Sequence, residues 1–471
     1  MNLKRTEMKL RKYQLRCVGC ITAEWIDQQS TLAVVPTGAG KTQIFSEIVR
    51  QGLPLRSMVI VHREELVFQA KERIERIAGI ACDIEMAHLK ANEEFHERCP
   101  CVIASVQTLH RRLEKFDPME FGILIADEAH HGIAKTWQTV IAHFCQNKDL
   151  KVLGVTATPD RGDKLALGKI FETVAFDYEI LDAIEDGWLV PVDQQMVHIG
   201  SLDFSQVRTT AGDLNGGDLA KIMEAEKNLH GMVGSSIEII GDKSTILFAA
   251  SVKHAEMACD IFNRHKQGMA EFVSGKTERD QRKEILDRFR EGKTQVLANC
   301  MVATEGFDAP IASVILNGRP TKSRALYAQI AGRALRPLPG LVDGLETPQE
   351  RRDSIAASAK PSALILDFVG NSGRHKLISC ADILGGKHSQ DIIDSVTETA
   401  REGKPVRITE EMEKEKEKRR LAMESRRLAE EARKARLIAE VEYRTTSVDP
   451  FERYNIQRKP PSSWDKMNGR T

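Results

Sequence analysis

The chain has 471 residues, of which 41% are hydrophobic and 29% charged, and its 68 Lys and Arg balance its 68 Asp and Glu. That length holds about three domains, each able to bury a core, and the composition is that of a globular chain rather than a disordered one. A net charge of zero excludes a uniformly basic shell for polyanions, so any nucleic-acid surface has to be a local stripe.

The chain opens on "MNLKRTEMKLRKYQ", which has no apolar signal region, and no later run reaches the ~18 apolar residues of a membrane span. A cytoplasmic protein with no membrane partner is expected. Five short, almost continuously apolar runs come next: "STLAVVP", "RSMVIVH", "CVIAS", "GILIADE" and "KVLGVTATP". Such runs suit strands covered by helices on both faces. Segments with helical spacing, such as "REELVFQAKERIERIA", lie between them, which is the βαβ pattern of a parallel sheet. The stretch "SLDFSQVRTTAGDLNGGDL" has no clear period and reads as a connector with an elaboration of the next domain. A second series follows: "STILFAAS", "MAEFVS", "TQVLANC", "IASVILNG" and "SALILDFV". The expected domains are 1–192, 193–397 and a tail, 398–471. In the tail, "TEEMEKEKEKRRLAMESRRLAEEARKARLIAEVEYR" is strongly helix-forming, with Glu415/Arg419 and Glu430/Lys434 spaced for ion pairs. Its thin stripe of Leu421, Leu428, Ala432, Ala435 and Ala439 is either solvated or docks along the protein itself or a protein partner. Nine cysteines include one CxxC, Cys17 and Cys20, with no second pair to complete a zinc site, so free thiols are expected.

Two stretches carry chemistry. In "VVPTGAGKTQIF" a strand runs through a glycine-containing turn into a helix, which aims backbone N–H groups and a helix dipole at an anion. Thr37, Gly38, Ala39, Gly40, Lys41 and Thr42 form this phosphate cradle. Lys41 is placed to reach the outer phosphates and Thr42 to offer its hydroxyl to Mg²⁺. The full pattern asks for Gly at 35, where this chain has Val35. In "FGILIADEAHH" an apolar strand ends in Asp127, at the edge where parallel sheets bind ligands. Asp127 is expected to hold Mg²⁺, and Glu128 to orient and deprotonate water.

With these two stretches the chain resembles the superfamily 2 helicases, whose DEAH sequence reads here as Asp127-Glu128-Ala129-His130. "LRKYQ" (10–14) is similar to the Q motif, which makes Gln14 the adenine-reading residue. "VHREELVFQ" resembles motif Ia, "ASVQTL" motif Ib, "TATP" motif III, "ILFAASVKHAE" motif IV, "VATEGFDAP" motif V and "QIAGRALR" motif VI. They occur in the family's order between residues 10 and 336. The resemblance implies two tandem RecA-like, doubly wound parallel-sheet domains plus a charged C-terminal helix. It implies ATP and Mg²⁺ as cofactors, with Arg333 and Arg336 as arginine fingers from the second domain and Gln329 beside them. It further implies Gly306 and Asp308 at the nucleotide, and His130, Thr156 and Thr158 as coupling residues.

For the nucleic-acid track the resemblance points to Arg63, Thr108, Ser251 and Thr304, which would position a strand by its phosphates without reading sequence. The alternative for any one of the four is that it merely caps a helix. "TATPDRGD", "ATEGFDAP" and "DEAHH" resemble the RadD-like and XPB-like DNA helicases, phage relatives included. The zinc-binding extension of RadD is not carried over, because no cysteine follows Cys380. An ATP-dependent DNA helicase or translocase is expected. The alternatives are an RNA helicase and an ATP-gated clamp on duplex DNA that does not separate strands.

Overall fold

The computed structural model describes residues 10–91, 98–157, 167–210, 212–300, 307, 309–386 and 388–446. The first sheet is built from β1 (Ser30–Val34), β2 (Arg56–Val61), β3 (Cys82–Glu85), β4 (Cys101–Ser105), β5 (Phe121–Asp127), β6 (Lys151–Thr156) and β7 (Thr173–Asp177). They lie in the order β3-β4-β2-β5-β6-β1-β7, and every neighbouring pair is parallel. Helices α1 (Lys12–Asp27), α2 (Lys41–Gln51), α3 (Glu64–Ala78), α4 (Val106–His110), α5 (Lys135–Phe144) and α6 (Ile180–Glu185) alternate with the strands. Helix α2 shows why they pack: Ile44, Phe45, Ile48 and Val49 recur at helical spacing and are all buried. Because β5, β6 and β1 are parallel neighbours, the residues that follow them meet at one edge of the sheet.

The second sheet has the order β12-β13-β11-β14-β15-β8-β16. Its strands are β8 (Val192–Asp203), β11 (Thr245–Ala249), β12 (Ala270–Val273), β13 (Val296–Asn299), β14 (Val314–Gly318), β15 (Ala363–Asn371) and β16 (Val406–Arg407). All pairs are parallel except β16, which runs antiparallel on β8. The helices here are α7 (Gly216–Met223), α8 (Glu226–Ile240), α9 (Val252–His265), α10 (Arg279–Arg290), α11 (Arg324–Gly332), α12 (Pro348–Ala356), α13 (Cys380–Leu384) and α14 (Gln390–Ala400). The expected connector is in fact ordered: its start completes β8, a small hairpin joins β9 (Thr209–Thr210) to β10 (Asp213–Leu214), and Asn215 caps α7 by accepting from two backbone N–H groups.

One apolar core covers the outer face of each sheet, and a third is shared, joining Ile44 and Phe45 of the first half to Tyr327 and Ile330 of the second. Residues 1–412 accordingly form one compact unit, and Glu413–Thr471 a second. The boundary matters at the tail. Arg407 pairs with Asp193, and Ile408 and Met412 are almost fully buried. A truncation meant to spare the core therefore has to fall after Met412. Beyond it, α15 (Ile408–Thr446) carries the expected Glu415–Arg419 ion pair at 2.9 Å, and Leu421, Met423 and Leu428 are more than half exposed. Among the described residues no helix is long and apolar enough to cross a membrane.

One buried base should make stability depend on pH. His254 is wholly buried in α9, and its Nδ1 accepts the Ala250 N–H at 3.1 Å. Burial pulls its pKa down to about 4. The unfolded chain titrates this imidazole near 6.5, so between those values it binds a proton that the fold excludes. This contribution is present above the unfolded value and fades as pH falls from about 6.5 to about 4, a loss on the order of 3 kcal/mol. Thermal unfolding across that range should show a falling Tm, flatter in His254→Asn.

Candidate nucleotide site

The cradle lies between β1 and α2. Gly38 and Gly40 have φ of +93° and +82°, a region that side chains strain to reach. Their missing Cβ atoms also leave room: one on Gly40 would sit 2.6 Å from Gln14 Nε2, and one on Gly38 3.3 Å from Arg336 Cγ. The chain thus turns its N–H groups inward at the start of α2, with Lys41 as that helix's first residue. Ala39 is buried, and the buried Thr37 hydroxyl has no hydrogen-bond partner. A loop with this conformation suits an anion, and Val35, buried ahead of it, does not disturb it.

Gln14 is buried against the cradle. Its Nε2 donates to the Ala39 carbonyl at 3.1 Å and to Gln43 Oε1 at 2.6 Å, while its Oε1 accepts the Arg11 N–H. Tyr13 donates its hydroxyl to the same Ala39 carbonyl and stacks on Tyr178 with ring centres 4.7 Å apart.

At the end of β5 two carboxylates stand side by side. Lys41 Nζ lies 2.6 Å from Glu128 Oε1, and Asp127 accepts the Glu128 N–H at 3.0 Å. Glu128 holds a left-handed φ of +52°, a strained setting for a non-glycine residue. Burial alone would raise both acids. It does so for Asp127, to about 6. For Glu128 the Lys41 ammonium and nearby His130 outweigh burial and hold the carboxyl low, at about 2. The split follows contact: Glu128 has the ammonium and Asp127 has a backbone N–H. His130 Nδ1 is 3.5 Å from Glu128 Oε2 and 3.2 Å from the Thr156 hydroxyl, so one ring bridges β5 to β6. The Thr42 hydroxyl accepts from Arg73 Nη1 at 3.2 Å.

The second half supplies the far wall. Gln329 is buried in α11, and a Cβ on Gly332 would be 2.8 Å from Thr37 Cβ. Arg336 extends over Gly38, while Arg333 donates to the Phe307 carbonyl at 2.7 Å. Between the halves, Trp188 is held by Arg11 at 4.3 Å on one side and Arg351 at 4.0 Å on another. Thr158, Gly306, Asp308 and Thr304 lie outside the described residues.

For the nucleic-acid track, Arg63 stands at the start of α3, the Thr108 hydroxyl accepts the Ala87 N–H at 3.2 Å, and Ser251 caps α9 while donating to Glu224 at 2.5 Å. Ser251 therefore also serves the capping role that its residue type allows.

Several residues of the site escaped the sequence. Arg73 and Tyr178 reach it from other elements and no motif marks them, while His62, which acts on Glu128, sits inside the motif Ia stretch without being singled out by it. Lys360 is the least expected. It is 1% exposed, and its ammonium donates at 2.7 Å to both the Pro310 and Arg336 carbonyls, tying the chain beyond Asp308 to the arginine that covers Gly38. Lys360→Met should cut kcat about 10- to 100-fold by letting Arg336 drift, with ATP affinity nearly kept. Steady-state ATPase beside a Tm measurement checks this, and Lys360→Arg should recover part of the rate.

Phosphate cradle and carboxylates on one parallel sheet, with arginines from a second, define a class: the two-domain RecA-like motors. Residues 7–161 match the family "Type III restriction enzyme, res subunit", and residues 229–337 match the "Helicase conserved C-terminal domain". The chain belongs to the superfamily 2 helicases. It is 33% identical over 350 residues to IRC3 of Saccharomyces cerevisiae, covering 69% of this chain and 49% of that protein. It is 25% identical over 371 residues to the DNA 3'-5' translocase XPB2 of Sulfurisphaera tokodaii, covering 71% and 80%. The fold is shared with an HsdR-type fragment of a type I restriction enzyme from Vibrio vulnificus, at TM-score 0.55 and 19% identity over 77% of this chain and 64% of that one. It is shared too with Dbp5 of S. cerevisiae bound to RNA and ADP BeF3, at TM-score 0.52 and 16% identity over 78% and 85%. The chain spans about half the length of the first curated relatives it matches, 49% and 56%.

Proposed function

We propose that this chain is an ATP-dependent, Mg²⁺-requiring DNA motor that couples hydrolysis to movement along, or unwinding of, DNA. The observation that carries the reading is Arg336 of the second half lying over Gly38 of the first, in the loop that leads into Lys41, whose ammonium pairs with Glu128. Gln14 reads the base, and Gly38 to Lys41 hold the phosphates. Mg²⁺, when bound at Thr42 and Asp127, would neutralise charge on the phosphates. Thr42 is freed for that role when Arg73 releases its hydroxyl.

Lys41 has two partners to choose between. Without phosphate it neutralises Glu128 and keeps it a weak base. With the cradle filled, its ammonium turns to the phosphates, the Glu128 pKa climbs, and the carboxylate can take a proton from water. Arg336 offsets charge developing on the transferred phosphoryl group, and because it comes from the other half, turnover requires the halves to be closed. His130 and Thr156 carry the change at Glu128 to β6.

DNA is favoured over RNA by relatives such as XPB2, whose name gives DNA as the track. Steady-state ATPase at fixed low salt, with no polymer, single-stranded DNA, duplex DNA or RNA, tests the reading. Stimulation by DNA supports it, with the better form separating helicase from duplex translocase. Stimulation by RNA alone overturns the substrate and leaves the ATPase mechanism standing.

A further inference from the structure

A cavity of about 810 Å³ opens in the second half, away from the cradle. Its floor is Asn317 and Asp367, near the carboxyl ends of β14 and β15, and its walls are the loop 370–378 and helix α14. The floor asks nothing of a ligand: Asp367 already accepts from Gln194 and Tyr327 at 2.6 Å and from Asn317 at 2.7 Å. The wall charges are mostly matched as well, with Lys376 on Asp394 at 3.3 Å and Arg401 on Glu398 at 2.9 Å.

Two basic groups of the 370–378 loop are left over. His375 is 7% exposed and lines the cavity, yet its Nε2 is buried with no hydrogen-bond partner. Its neighbour Arg374 is exposed at the mouth and makes no ion pair among the described residues. The loop that presents them is pinned. A Cβ on Gly370 would fall 2.1 Å from the Leu202 carbonyl oxygen, and one on Gly373 2.8 Å from Ser205 Cβ. A pinned loop keeps both groups in place before any ligand arrives.

We propose that this cavity holds one nucleotide unit, with its base beside His375 and its phosphate on Arg374. The volume falls within the ~300–1,000 Å³ of small-ligand pockets. Met196, Pro320 and Leu377 give a base apolar surface, and the imidazole gives its edge a polar partner. One remaining guanidinium suits one phosphate; the matched pairs around it argue against a polyphosphate. The location fits a strand: β11, β14 and β15 are parallel neighbours, so the cavity shares its edge with Ser251 after β11. The inference rests on the nucleic-acid reading above for its source, since a nucleotide of a bound strand and a free mononucleotide offer the same chemistry.

The test uses the full chain with the oligonucleotide dT12 and with dTMP, measuring binding at several salt concentrations. Arg374→Ala should weaken dT12 binding about 5- to 10-fold and make the log–log salt slope shallower by about 0.7, as one lost phosphate contact does. His375→Ala should weaken it about 5- to 20-fold with the slope unchanged, and His375→Gln should recover part of that loss. ATPase without polymer should stay within about twofold in each. Arg374 is exposed, so its variant tests the site even if His375→Ala folds poorly. If dTMP binds and both variants lose it, the source is a free nucleotide; if only dT12 binds, it is the strand; either result upholds the site. Wild-type affinity for both probes in Arg374→Ala and His375→Gln would overturn it. A wild type that binds no polynucleotide would sink the DNA-motor reading instead, with dTMP still testing the cavity.

Discussion

Glu128→Gln should lower kcat for ATP hydrolysis by at least ~10²-fold while ATP and DNA still bind. The amide keeps the shape of the side chain but takes no proton from water. Lys41 loses its anionic partner, now 2.6 Å away, and is released to the phosphates, so ATP affinity should hold or rise. A filter-binding or fluorescence titration beside the rate measurement separates the two effects. Hydrolysis at the wild-type rate would remove Glu128 as the base and shift attention to Asp127, whose raised pKa is the other departure in the site.

Arg336→Ala should cost about 10³- to 10⁵-fold in kcat, the range for an arginine that meets phosphoryl charge from across a cleft. It should leave the fold intact. Arg333→Ala ought to behave differently. Arg333 donates to the Phe307 carbonyl from a buried position, so its loss should lower Tm as well as rate. Measuring kcat and Tm for both variants decides the assignment. If Arg333→Ala keeps its Tm and loses the larger factor in rate, the two arginines exchange roles.

The sequence revealed strands where the sheet is covered on both faces. β1, β2, β4 and β11 are buried at every position and read as unbroken apolar runs. β3, β7 and β16 did not, and all three are edge strands: β7 and β16 are half-buried or exposed at most positions, while β3 is mostly buried but carries Asp83 and Glu85, which break the apolar run. β8 was missed for a related reason: its buried positions largely alternate with partly exposed Asp193, Gln195 and Val197, which breaks the apolar run. At the site, the cradle and the Asp127–Glu128 pair were legible because each is a local turn with its own chemistry. Arg73, Tyr178 and Lys360 were not, since their roles exist only after distant elements pack. Even Arg333 and Arg336, three residues apart and alike on paper, are told apart only by which neighbour each side chain meets.

Trp188, gripped by a guanidinium from α1's leading edge and another from α12, gives the molecule an internal optical gauge. An indole's emission responds to the charges against its ring, and these two belong to opposite halves. Separation of the halves would strip away at least one cation, and the emission would change without any attached dye. With the other tryptophans replaced, a stopped-flow trace at this single ring could time each opening and closing against phosphate release.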